Sequence, residues 1–212
     1  MALDLQEQDE LDNLKAFWSK HGNLILTVIT VLCLAFAGWR GWNFYQAKQA
    51  GEAAGLYEVL RTAASAKDLT KVKEASGNIF EKFGGTAYAQ MAALVSAKAY
   101  FDANDLKGAK APLEWASEKA QDEEFRLTAR LRLAAILVDE KAYDEAAKRL
   151  QGPVPKAYAG QFADARGDLL MAQNKLPEAK AAYKEALDAL AESSAIKRLV
   201  KIKLDALAGA GA

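Results

Sequence analysis

Leu106-Lys107-Gly108-Ala109, Tyr143-Asp144-Glu145-Ala146 and Leu176-Pro177-Glu178-Ala179 decide the fold of this chain. Each stretch opens on a large apolar residue and closes, three places on, on alanine. Leu69-Thr70-Lys71-Val72 is a fainter copy. The closing residues stand at 72, 109, 146 and 179, so the intervals are 37, 37 and 33 residues. Four places after the last three come Leu113, Leu150 and Tyr183, and seven places after come Ala116, Pro153 and Ala186. Twelve places before them stand Ala97, Ala134 and Gly167, with Tyr100, Leu137 and Leu170 three further on. Small residues at helical spacing let two helices approach closely, and the large ones fill the space between neighbouring pairs.

This pattern resembles the tetratricopeptide repeat, a helix-turn-helix unit of about 34 residues. The expected fold is all-α: a single N-terminal transmembrane helix followed by a tetratricopeptide-like α-solenoid. Helices are expected over 45–65, 68–82, 86–103, 106–120, 123–140, 143–151, 158–173, 176–191 and 194–207. Gly84-Gly85 and Pro153-Val154-Pro155 punctuate the series. The first unit departs most, with Val72 and Ser76 in the alanine and bulky positions, and the turn Asn104-Asp105 is present only in the second. Ile196, Leu199, Val200, Leu204 and Leu207 give the last helix one apolar face, suited to closing the stack. Its Lys197, Arg198, Lys201 and Lys203 would also suit an anionic membrane surface.

Outward from the repeats, composition narrows the function. The 212 residues carry 28 basic and 28 acidic side chains, and this neutrality argues against a general nucleic-acid binder. One cysteine and one histidine exclude an internal disulfide and a thiolate or imidazole zinc cage. Alanine, about a fifth of the chain, favours helix, as do only 4 prolines. The charge is uneven: within residues 1–21, Asp4, Glu7, Asp9, Glu10 and Asp12 outnumber Lys15 and Lys20.

From Gly22 to Trp39 the chain reads GNLILTVITVLCLAFAGW, 18 residues without a charged side chain. At ~1.5 Å per residue this helix spans about 27 Å, close to the hydrocarbon core of a bilayer. Leu24, Ile25, Leu26, Val28, Ile29, Val31, Leu32, Leu34 and Phe36 supply the apolar surface. Trp18 at one end and Trp39 and Trp42 at the other mark the headgroup level. Thr27 and Thr30 can return their hydroxyls to carbonyls one turn back. Ala35-Phe36-Ala37 fits a signal-cleavage pattern, but the acidic flank and the aromatic continuation favour an uncleaved anchor. The organisation expected is a tail over 1–21, an anchor with its aromatic end over 22–43, and repeats over 48–212. Lys15 and Lys20 balance Arg40 and Lys48, so charge alone leaves orientation tied.

No enzyme motif is present. His21 sits at the membrane edge with no nucleophile in reach, Cys33 lies mid-span, and Gly84-Gly85 lacks the lysine of a phosphate loop. No catalytic residue, metal ligand or cofactor site is expected, and no small-molecule substrate. The anchor end Gly38-Trp39-Arg40-Gly41-Trp42-Asn43, with Leu131-Arg132-Leu133-Ala134 and Ala163-Asp164-Ala165-Arg166-Gly167-Asp168, closely resembles the YfgM family of Gram-negative bacteria over nearly the whole chain. The resemblance implies an ancillary subunit of the SecYEG translocon in the inner membrane, tail cytoplasmic and repeats periplasmic. It further implies pairing with the periplasmic chaperone PpiD and passage of emerging proteins to periplasmic chaperones.

Stacked pairs leave a concave surface lined by the first helix of each. The expected protein-binding residues there are Met91, Leu94, Lys98 and Phe101, then Thr128, Leu131, Ala135 and Val138, then Gln161, Asp164, Asp168 and Met171. Apolar, methionine and scattered charged side chains suit segments of varied sequence. An alternative is a stress-response regulator acting through the tail, to which Leu3, Leu5, Leu11, Leu14, Phe17 and Trp18 give amphipathic character. Another is a cell-envelope or division scaffold.

Overall fold

The structure, a computed structural model, describes the backbone of residues 2–209 and the side chains of 8–207. Leu3, Leu5, Asp4 and Glu7 of the tail therefore lie outside the described side chains. The described residues form nine helices and no strand: α1 (Ala2–Ser65), α2 (Leu69–Phe83), α3 (Ala87–Asp102), α4 (Leu106–Lys119), α5 (Glu123–Asp139), α6 (Tyr143–Leu150), α7 (Lys156–Ala172), α8 (Leu176–Ala189) and α9 (Ala195–Gly209). Two compact units divide between Gln49 and Ala50, inside α1.

The first unit is the helix up to Gln49, which is long and apolar enough to cross a membrane. Leu24, Leu26, Val28, Ile29, Val31, Leu32, Leu34, Phe36, Trp39 and Trp42 all turn exposed side chains outward, and Ile25 is half-buried. In water such a surface would be costly, at about 25 cal/mol for each Å² of apolar area. The two threonine hydroxyls inside the run are internally satisfied. The Thr27 hydroxyl donates to the Asn23 carbonyl at 2.7 Å and that of Thr30 to Leu26 at 2.8 Å.

In the second unit the last turns of α1 pair with α2, α3 with α4, α5 with α6 and α7 with α8, and α9 closes the series. Ala109, Ala146 and Ala179 are wholly buried, as are Val72 in the faint first repeat and the bulky Leu113, Leu150 and Tyr183 one turn on. Gly167 is required where it stands: a Cβ there would lie 2.4 Å from the Tyr183 ring. The apolar interior forms two clusters. One runs from Tyr57 and Leu60 of α1 to Phe162 and Leu169 of α7. The other gathers Ala163, Ala179, Tyr183, Ala186 and Val200 from α7, α8 and α9.

The turn inside each pair shows a regularity that residue identities conceal. Lys67, Asn104, Lys141 and Asn174 adopt left-handed φ values of 57°, 60°, 62° and 60°. In each turn the left-handed residue donates its N–H three residues back. The next residue donates five back, as in Asp68 to Ala63 and Asp105 to Tyr100, both at 2.9 Å. This is the Schellman closure, which normally favours glycine. All four pairs therefore share one turn, although Asn-Asp occurs in only one of them. In two of them the aspartate that follows caps the next helix: Asp68 accepts from the Lys71 N–H and Asp105 from the Gly108 N–H. The bond from the Lys71 amide holds the Asp68 carboxyl below its ordinary range.

The third pair corrects one expectation. Pro153 does not occupy a small-residue slot, because α6 ends at Leu150 and Pro153 is exposed beyond it. Gly152 turns the chain with φ 97° and Pro153 lacks the N–H a further turn would need, and Arg130 of α5 satisfies the end they leave. Its guanidinium donates to the Arg149 carbonyl at 3.0 Å and to the Gln151 carbonyl, and lies 4.8 Å from the Phe162 ring centroid. Those carbonyls would otherwise be orphaned at a helix end. Helix α7 then starts at Lys156, two residues ahead of the sequence expectation, with Pro155 as its flanking residue.

Candidate protein-binding face

Helices α3, α5 and α7, the first members of their pairs, carry the residues singled out above. Met91, Leu94, Leu131 and Val138 are half-buried and pack against the larger apolar cluster. Lys98 and Phe101 are exposed, as is Met171, while Asp164 and Asp168 are half-buried. Two hollows lie between these helices. One of about 310 Å³ is lined by Ala97, Lys98, Phe101 and Asp102 of α3, Leu113 of α4, and Arg132, Ala135 and Ile136 of α5. The other, about 240 Å³, is lined by Ala134, Ala135, Val138 and Asp139 of α5 with Ala165 and Asp168 of α7. Ala135 lines both.

Asp164 and Asp168, one turn apart on α7, do not face solvent as a free pair. Lys203 of α9 sits between them, its Nζ 2.7 Å from an oxygen of each. Tyr183 of α8 donates its hydroxyl to Asp168 at 2.7 Å, and its ring lies 5.5 Å from the ammonium. One cation thus serves two carboxylates, and this ratio decides the titration of the group. Burial raises the Asp164 carboxyl above its ordinary value, outweighing the bond from Lys203, and the charge of Asp168 adds to the rise. Burial lowers Lys203, but its bonds to two carboxylates outweigh that and hold the ammonium above its ordinary value. Burial and the bond to Asp168 raise the Tyr183 hydroxyl strongly. Arg166, next to Gly167, points the other way and donates to Glu185 of α8 at 2.6 Å.

Lys203, Tyr183, Arg132 and Asp139 lie outside the concave-face positions that the repeat spacing selects. A signal for Lys203 was present. It falls within the apolar stripe Ile196, Val200, Leu204, Leu207, in which Val200 is buried and the others half-buried, and a lysine there requires an anionic partner. Two carboxylates four apart on a neighbouring helix are the obvious candidates.

A family model described as a tetratricopeptide repeat-like domain matches residues 15–209. An ancillary SecYEG translocon subunit of Neisseria gonorrhoeae is 30% identical over 208 residues, 98% of this chain and 100% of that protein. The protein of the same name in Haemophilus influenzae is 27% identical over 207 residues, again 98% and 100%. That of Escherichia coli is 27% identical over 180 residues, 84% and 85%. The chain therefore belongs to the tetratricopeptide repeat-like family and, with these relatives, to the YfgM family that its sequence resembles.

Proposed function

We propose that this protein is a non-catalytic interaction module, anchored in the bacterial inner membrane, that serves the SecYEG translocon as an ancillary subunit. The observation that carries the reading is similarity along nearly the full length to proteins named for that role, joined to a helix whose exposed surface suits lipid. The stacked pairs add a surface of the kind that binds polypeptide without chemistry. In the finer reading the tail is cytoplasmic and the repeats periplasmic. The concave face then receives emerging proteins and passes them to periplasmic chaperones, with a PpiD-type chaperone as the neighbouring partner.

A photo-crosslinking residue at Phe101 or Met171, in intact membranes, tests this. Adducts with translocon subunits or the PpiD-type chaperone are expected, and adducts solely with division or wall-synthesis proteins would refute it. Orientation has a simpler test. Protease added to spheroplasts should degrade the repeats, and protection until the membrane is lysed would overturn the periplasmic assignment.

A further inference from the structure

The hollow between α3 and α5 has an apolar floor and a charged rim. Ala97, Leu113 and Ile136 are buried beneath it, and the exposed ring of Phe101 borders it. Its volume of about 310 Å³ is at the lower end of ligand pockets, and equals the share of roughly ten waters. That is room for one large side chain with some of its backbone.

The rim is not electrically neutral. Lys98 reaches both oxygens of Asp102, at 2.9 and 2.7 Å, so these two charges cancel. Arg132 has neither an ion pair nor a hydrogen bond among the described residues. An exposed guanidinium beside an apolar floor is suited to a planar anion, which it can hold through two parallel N–H···O bonds. The neighbouring hollow has the opposite sign. Lys203 is shared there between Asp168 and Asp164, and Asp139 is left without a partner among the described residues.

We infer that the α3–α5 hollow is a subsite for a polypeptide segment in which a large apolar side chain adjoins a carboxylate. The side chain fills the floor and Arg132 takes the carboxylate of an adjoining Asp or Glu within the segment. Asp139 sets the direction, so that basic residues of the segment lie towards α7. This rests on the reading of the concave face as a protein-binding surface and adds to it the chemistry of what is bound.

The test uses the full-length protein in nanodiscs and fluorescein-labelled peptides in a glycine-serine host. One peptide contains Phe-Asp with an amidated end, one Phe-Asn, one ends in Phe with a free carboxylate, and one ends in Phe-amide. Binding is read by fluorescence anisotropy. The Phe-Asp peptide should bind about tenfold tighter than Phe-Asn, and the free-carboxylate peptide no tighter than its amide. A preference found only between the free carboxylate and its amide would place a chain terminus there and overturn the assignment. Arg132→Met should abolish the preference and Arg132→Lys restore part of it, with the thermal midpoint unchanged.

Equal binding within both pairs, or a preference that survives Arg132→Met, overturns the assignment. In that case Ala135→Arg separates the two levels of the argument. If it blocks binding, the concave face remains a polypeptide surface without carboxylate recognition. If it leaves binding unchanged, or if no peptide binds at all, the concave-face reading falls as well.

Discussion

Replacing Lys203 by methionine removes one ammonium and keeps most of the stem that packs on Tyr183. The structure sets the size of the effect. Lys203 is 24% exposed and its two acceptors, Asp164 and Asp168, are 14% and 46% exposed. A hydrogen bond to a charged group is worth about 1.5–3 kcal/mol, and stranding a buried charge costs about 3–5 kcal/mol. Solvent at Asp168 discounts its share, so the loss should be about 2–3 kcal/mol. For a domain of this size each kcal/mol moves the midpoint about 2–4 °C, giving a fall of roughly 5–10 °C.

The partner variant should behave differently. Burial already penalises the charged form of Asp164, so Asp164→Asn should cost much less than Lys203→Met, and the double variant should recover part of the loss. The pH dependence follows from the same directions. Lys203 is raised above its ordinary 10.5, so its stabilisation is full below that value and disappears as pH rises through the higher folded value. Asp164 is raised above 3.8, so its contribution is favourable below 3.8 and lost as pH rises through its folded value. The deficit of Lys203→Met should therefore shrink on acidification, as Asp164 takes up its proton. Differential scanning fluorimetry from pH 4 to 8 reads all of this. A midpoint for Lys203→Met within 1 °C of wild type at pH 7, or a larger loss for Asp164→Asn, would refute the reasoning.

Lys141→Gly should stabilise the repeats by about 0.5 kcal/mol, because relief of left-handed strain of about 1–2 kcal/mol exceeds the added entropy of the unfolded chain. Asn174→Gly should gain less, since asparagine tolerates that conformation; denaturant midpoints at unchanged m decide. Gly167→Ala puts a methyl 2.4 Å from the Tyr183 ring, and should cost about 1–3 kcal/mol in the same assay. Leu32→Arg, at an exposed position of the apolar run, should cost about 2.5–3.5 kcal/mol of insertion. Its signature is a rise in the carbonate-extractable fraction, and extraction equal to wild type would tell against the span.

The repeats could be read from sequence because close packing leaves few choices at helix contacts. Ala109, Ala146 and Ala179 are wholly buried, and their spacing alone located the pairs. The long apolar helix was readable for a simpler reason: an unbroken run without charge is visible in the residues themselves, and its side chains are exposed in the structure. The turns were harder. Lys67 and Lys141 have no special propensity for left-handed backbone, and the closure is imposed by packing on both sides of it. Long-range polar contacts were the least accessible. The apolar stripe around Lys203 signals the need for an anionic partner, but which helix supplies it, like Arg130 capping the end of α6, depends on which helices become neighbours. On the candidate face, spacing selected the helices, while the charges of Asp164 and Asp168 turned out to be used internally.

Helix α7 belongs to both apolar clusters, with Phe162 and Leu169 on one side and Ala163 on the other. In a stack where each pair touches only its neighbours, opening starts at an end and advances pair by pair. The terminal cluster around Val200 is the smaller, so α9 and then α8 should be the first at this end to exchange their amide hydrogens, ahead of α7. Lys203 ties α9 to α7 across that end through Asp164 and Asp168, so Lys203→Met should speed exchange in α9 before it does so anywhere else in the stack.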